Sequence, residues 1–374
     1  MSLRMGTFST FGIVSARAVA NKGERSYVRT RVPMLKTAWR ERFAALLEIV
    51  GVFITGAMLA RLVAQAHGIP AASIRDMEPG APIDYLSLAA QTASNLLLRY
   101  GIILSLAFLI GWWYRRRTLA SYGVSTGTLS IRDVLATAIV LFAVGGLLPR
   151  ILLLAKEHVD LGREPRHWEV LSSTYSVEYW VYMAVGSFGL VPVVEELFFR
   201  GYVQTRLSEA FGGPAAIAMT AALFTLAHRQ YFIFSTIGVG MLLSLLTASI
   251  LAGYVRYRFG TLLPGMIGHA IGNIPFRGSA HVAVLLTIFL VIFAARHVIL
   301  AHLRELITLL STRTILSGSA LAVVVIAAVL SLAKIAPNAL LPLGIVLILF
   351  ALLLEFLDKQ KRIADDSYFR VPPA

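Results

Sequence analysis

The sequence predicts an all-α, polytopic helical membrane protein with about eight to ten transmembrane helices, and three observations carry that prediction. Of its 374 residues, 57% are hydrophobic and 14% charged, and the mean hydropathy is +0.74, outside the range of an ordinary soluble domain. Apolar runs long enough to cross about 30 Å of hydrocarbon recur along the chain. The Lys and Arg residues behind a formal net charge of +14 fall mostly between those runs and not on one soluble face. That distribution argues against nucleic acid as a partner, despite a pI near 10.3. Without cysteine, disulfides, thiolate catalysis and sulfur-ligated metals are excluded.

Residues 1–42 hold Lys and Arg from Arg4 to Arg42 and no acid before Glu24, which reads as a basic cytoplasmic tail. The same acid-poor start also fits an organellar transit peptide. An organellar membrane is therefore the alternative to the bacterial plasma membrane expected here. Residues 43–174 form a region of amino-terminal transmembrane helices, with apolar runs at 43–64, 94–114 and 133–155. Further runs follow at 177–205, 214–232, 234–255, 261–276 and 280–300, the fourth of these being short for a full crossing. Residues 296–374 add runs at 314–333 and 339–357 and a basic tail. An inside amino terminus leaves Arg115, Arg116, Arg117, Arg206, Arg256, Arg258, Arg304, Arg313, Lys359, Lys361 and Arg362 inside as well. Both termini are then cytoplasmic. Trp112 and Trp113 suit an interfacial belt. Glu48 and Glu355, near helix ends, are expected to snorkel to water. Arg99 and Arg150 are expected at headgroups, and His158, His281, His297 and His302 carry no assigned role.

Two adjacent carboxylates interrupt the apolar stretch LVPVVEELFFRGYV. A carboxylate near the bilayer centre costs about 2.5–3.5 kcal/mol on insertion scales, so Glu195 and Glu196 need partners or a task. On a helix Glu196 and Arg200 share a face, acid first, the better order for an ion pair. Glu195 then points about 100° away and stays available. Phe224 to His228 and His269 to Asn273 are two more polar clusters, each expected on a helix within lipid. If Gly212-Gly213-Pro214 is a helical turn, Glu195 and His228 lie at similar heights, about 25 Å from it. His269 lies about 14 Å from the turn near Arg258. The clusters can meet in a cavity expected nearer the cytoplasmic side. A carboxylate beside two imidazoles can activate water, with Glu195 taking its proton beside His228 and passing it to a leaving amine. His269 and Asn273 can donate to the oxyanion. Gly265, Gly268 and Gly272 keep the third helix slim for close neighbours.

EELFFR, then Phe224 to His228, then His269 to Asn273, resembles the signature EExxxR, FxxxH, HxxxN of the CPBP intramembrane proteases. That family includes type II CAAX prenyl endopeptidases and relatives linked to bacteriocin processing or immunity. The resemblance covers about residues 175–295 and implies a CAAX-protease-like helical core there. It implies that Glu195, His228, His269 and Asn273 are catalytic, with Glu196 and Arg200 in support, and that the site opens to the cytosol. The implied partners are membrane lipid and a membrane-associated or lipid-modified protein or peptide. Zinc stays open beside metal-free chemistry, because Glu195, His228 and His269 can supply three ligands and leave a water position. The rival readings are a proton- or ion-coupled transporter and a non-catalytic scaffold or bacteriocin-immunity protein.

Overall fold

The structure, a computed structural model, describes residues 38–69, 82–165, 167–168, 176–276, 278–310 and 344–356. Residues 1–39 and 40–374 fall into separate units, and the second holds the features below. Among the described residues there is no strand. Helices α1 (Ala38–Ala66), α2 (Tyr85–Arg115) and α3 (Ile131–Ala155) precede a long helix α4 (Val177–Phe211). After it come α5 (Gly213–Ala227), α6 (Thr236–Phe259), α7 (Leu263–Gly272), α8 (Gly278–Leu310) and α9 (Gly344–Phe356). By length and apolarity, α1, α2, α3, α4, α6 and α8 are each able to cross a membrane, while α5 and α9 are shorter apolar helices. The protein is thus an all-α multi-pass membrane protein.

Local chemistry sets the helix starts. Asp84, Ser130, Ser176 and Ser235 are N-caps whose side chains accept from Ser87, Asp133, Tyr179 and Gly238 backbone N–H groups, satisfying donors that a helix start leaves free. The Asp84 cap starts α2 nine residues before the apolar run at 94, because its first turns carry polar Ser87, Gln91 and Asn95. The run at 261–276 yields only the ten-residue α7, about 15 Å long. The run at 314–333 lies outside the described residues.

Helix α5 departs from expectation most. It ends at Ala227, and a 3₁₀ turn at Arg229–Tyr231 follows, so the run at 214–232 is not one spanning helix. The helix turns antiparallel to α4 through Gly212, whose φ of 85° is a left-handed conformation suited to glycine. Contacts at a constant separation of 49 show that α4 and α6 run parallel. Arg200 Nη2 donates to Ser249 Oγ at 2.8 Å, and Gln204 Nε2 donates to the Gly253 carbonyl at 2.8 Å.

A core of Leu46, Ile49 and Val52 from α1, Ile103, Leu104 and Ala107 from α2, Phe198, Phe199, Tyr202 and Val203 from α4, and Ala216, Met219 and Phe224 from α5 buries the middle of α4. On the other side α3 packs against α6, α7 and α8. Helix α8 is peripheral, with 11% of its apolar window buried against 61% for α1.

Two charge assignments from sequence are overturned. Glu48 is 0% exposed and does not snorkel. It accepts from Arg115 Nη1 at 2.9 Å, Arg206 Nε at 2.9 Å and the Tyr202 hydroxyl at 3.0 Å. Glu355 on α9 completes the cluster, accepting from Arg115 Nη2 at 2.9 Å and pairing with Arg206. Arg117 pairs with Glu209 beside it. Arg150 is 4% exposed, so it does not face headgroups. Trp112 and Trp113 are exposed at the end of α2, as a belt requires.

Candidate active site

Helix α4 is irregular where it carries the carboxylates. Two π-helical segments, Gly186–Leu190 and Leu197–Val203, flank the α-helical turn Val191–Glu196. Pro192 contributes, since it has no N–H for the ladder. Gly189 is required in the first π segment, because a Cβ there would stand 2.2 Å from the Ala184 carbonyl oxygen. Single π turns recur at functional sites.

The ion pair expected from spacing is present despite the irregular winding. Arg200 Nη1 donates to Glu196 Oε1 at 2.8 Å, and both side chains are 2% exposed. The guanidinium also lies 4.3 Å over the Phe224 ring. Gly265 on α7 faces this carboxylate so closely that a Cβ would come within 3.0 Å of Glu196 Oε2. The Ser249 and Phe224 contacts to Arg200 were not foreseen. A serine in an apolar helix and an aromatic in an aromatic-rich chain carry no distinguishing mark.

Glu195 points elsewhere, as expected. Its Oε2 stands 3.9 Å from His228 Nε2 and 3.9 Å from His269 Nε2, and its side chain is 14% exposed. That oxygen is buried and has no hydrogen-bond partner among the described residues. The two rings are oriented from behind. His228 Nδ1 lies 2.8 Å from the Phe224 carbonyl oxygen, and His269 Nδ1 lies 3.3 Å from Glu196 Oε1. Both partners are acceptors, so each Nδ1 carries the hydrogen and each Nε2 faces Glu195.

His228 is not within a helix, contrary to expectation. It is the C-cap of α5, with its N–H on the Thr225 carbonyl at 3.1 Å. That i−3 bond leaves the Phe224 carbonyl to the imidazole, which explains the spacing of Phe224 and His228. Asn273 follows the last residue of α7, and its Nδ2 donates to the Ser187 carbonyl at 2.7 Å. One amide hydrogen is thereby engaged and one remains. The rings of His228 and Tyr231 stack with centroids 6.5 Å apart. Tyr231 lies in the loop after α5, where burial, with Glu195 nearby adding to the effect, pushes its phenol up to about 12.

A cavity of about 910 Å³ reaches these residues. Glu196, Arg200, Phe224, His269 and Asn273 line its inner end, and Lys156, Glu164, His167, Trp168 and Tyr231 lie along it further out. Glu195 stands 3.9 Å from the cavity-lining His269. Ser235 Oγ donates to the Arg163 carbonyl at 2.8 Å, joining the start of α6 to the segment after α3. The site therefore lies toward the end where those loops meet. Helix α5 spans about 22 Å between it and the Gly212 turn, at the end carrying Arg115, Arg117, Arg206 and Arg256. That separation agrees with the distance of about 25 Å from the Gly212 turn expected for Glu195 and His228.

Zinc does not fit this donor set. Among the described residues no group of three His, Asp or Glu side chains is arranged to hold a metal ion. Donors around a tetrahedral zinc stand about 3.3–3.4 Å apart, and both Glu195 separations are 3.9 Å.

Residues 177–275 match the family described as type II CAAX prenyl endopeptidase Rce1-like. No curated protein and no solved structure matches the chain. The matched stretch contains both glutamates, Arg200, both histidines and Asn273. From the start of α4 to just past α7, this membrane protein therefore carries a stretch that matches the Rce1-like, type II CAAX prenyl endopeptidase family.

Proposed function

We propose that the chain is an intramembrane endopeptidase of CAAX type, hydrolysing a peptide bond in a membrane-associated or lipid-modified protein or peptide. The observation that carries this reading is the buried, unpartnered Glu195 Oε2 held 3.9 Å from two imidazole Nε2 atoms. Glu195 Oε2 and His228 Nε2 are acceptors placed to take the two hydrogens of a reactant water, which leaves its lone pairs free for attack.

In the reaction Glu195 takes a proton from that water while His228 Nε2 orients it, and the hydroxide oxygen adds to the scissile carbonyl carbon. The carbonyl oxygen becomes an oxyanion on the cavity side, where the second Asn273 amide hydrogen and His269 Nε2–H, when that ring carries both protons, donate to it. Glu196 supports the charged ring through Nδ1. The C–N bond then breaks as Glu195 returns its proton to the departing amine. Arg200 fixes Glu196 in place through their ion pair.

Glu195→Gln is the test, because the amide keeps the shape and loses the base. Purified variant is expected to turn over about 10²–10⁴-fold more slowly than wild type. In cells, membrane-peptide termini present with wild type should be missing with the variant, and those termini name the substrate. Identical termini in both would reject the protease reading. Altered proton or ion flux in vesicles with identical termini would favour a transporter, and neither change a scaffold.

A further inference from the structure

The cavity contains a cation that the catalytic scheme leaves unused. Of its three Lys or Arg lining residues, Arg200 pairs with Glu196 and Lys156 pairs with Glu164 at 2.9 Å. Arg150 has no carboxylate partner among the described residues. It is 4% exposed, on a part of α3 outside the matched 177–275 stretch. Its Nη2 donates to the Gly272 carbonyl at 2.9 Å and the Ile274 carbonyl at 3.0 Å, which brackets Asn273. Phe276 lies under the guanidinium at 5.1 Å. His281 Nε2 meets the Arg150 carbonyl at 2.9 Å and fixes the backbone. Nε and Nη1 donate to nothing among the described residues.

A buried guanidinium without a counter-ion is costly. Carbonyls at the C-terminal end of α7 offset part of that cost, and a bound anion would offset the rest. The position of that anion is restricted. Gly272 is three residues past His269, so the guanidinium sits about one helical turn, roughly 5 Å of rise, beyond the ring. Glu157, the one cavity carboxylate not yet paired, is exposed and lies past the end of α3, seven residues beyond Arg150. An anionic group on the substrate itself, a short way along its chain from the scissile bond, suits this geometry. On a peptide of otherwise apolar character, the group that meets the condition in every sequence is the terminal carboxylate, which a guanidinium fork grips with two hydrogen bonds.

We propose that Arg150 is a specificity-determining residue that receives the C-terminal carboxylate of the peptide in the cavity beside Asn273. The assignment rests on the endopeptidase reading above, and the test separates the two. Full-length protein in phospholipid vesicles is given a mixed-sequence pool of short N-palmitoylated peptides with free C-terminal carboxylates, and the same pool as C-terminal amides. Wild type is expected to favour the acid pool by about tenfold or more in kcat/KM, mostly through KM. Arg150→Gln should bring that ratio close to one, and Arg150→Lys should keep part of it, retaining charge without the fork. A wild-type ratio near one, as a lipid phosphate occupying the site would give, overturns the assignment. So does an Arg150→Gln variant that loses activity on both pools with the ratio unmoved, the result of a purely structural role. Should Arg150→Gln fail to fold, Arg150→Lys carries the test, and an unmoved ratio overturns the assignment. Direct binding of both pools to the Glu195→Gln protein completes the design. If wild type cleaves neither pool, the protease reading fails, yet acid-over-amide binding that Arg150 substitution removes upholds the carboxylate assignment, and equal binding sinks it.

Discussion

Glu195 and Glu196 are neighbours in sequence with opposite fates. Glu196 is held through its Oε1 by Arg200 and His269 at 2% exposure, so Arg200→Ala would strand a carboxylate in the core. Losing one partner of a buried pair costs about 3–5 kcal/mol, and a matching fall in unfolding midpoint in detergent is expected. Gly265→Ala is a finer probe. Its Cβ would sit 3.0 Å from Glu196 Oε2, shifting the carboxylate and, through Nδ1, the His269 ring. Alanine is favoured over glycine in a helix by about 1 kcal/mol, so the midpoint should hold while kcat falls by about tenfold or more, since small misplacements at a reacting centre are expensive. An unchanged kcat would detach Glu196 from the chemistry. At this scale the sequence was informative for a physical reason: charge inside an apolar run is conspicuous, and four-residue spacing fixes a face. Arg150 and Glu48 were misjudged for the converse reason. A charge near the end of an apolar run reads as interfacial, and the partners that bury it come from helices distant in sequence.

Among the elements, α4 departs furthest from a regular helix, and its two π segments bracket the turn with both glutamates. Gly189→Ala tests whether that winding is needed. The added Cβ, 2.2 Å from the Ala184 oxygen, forces the first π segment to rewind or shift, with overpacking of about 1–3 kcal/mol and a rotation of Glu195 away from the imidazoles. Activity should drop by more than the stability loss explains, read as kcat on protein still fully folded at the assay temperature. The apolar run at 177–205 located α4, which continues to Phe211, whereas one extra residue per turn leaves no compositional trace beyond Pro192 and Gly189. The early end of α5 was equally hidden, because apolar residues continue through Tyr231, Phe232, Ile233 and Phe234 past the point where the backbone turns.

For the molecule as a whole, polar contacts concentrate at two levels. One is the site, and the other is the cluster of Glu48, Arg115, Arg206 and Glu355 joining α1, α2, α4 and α9. Glu48→Ala leaves Arg115 with Glu355 alone and Arg206 with Glu355 and the half-exposed Glu209, and a loss of about 3–5 kcal/mol is expected. Glu48→Gln should be intermediate, as it keeps an acceptor for Tyr202 and the arginines. Thermal unfolding in detergent checks both, and unchanged midpoints would reduce the cluster to decoration. Six of the ten apolar runs appear among the described residues as helices long enough to cross, fewer than the eight to ten expected because the runs at 214–232 and 261–276 give short helices. The partners of each helix were not legible, because lipid-facing and helix-facing sides are equally apolar in a bilayer.

The same cluster has a consequence for biogenesis. Ribosomes deliver Glu48, Arg115, Arg117, Arg206 and Glu209 long before Glu355, so the nascent bundle holds three clustered cations against two anions until the last described helix emerges. Docking of α9, which carries Glu355, offsets that surplus, so the half-assembled protein stays electrostatically unbalanced until this helix has been made and docked.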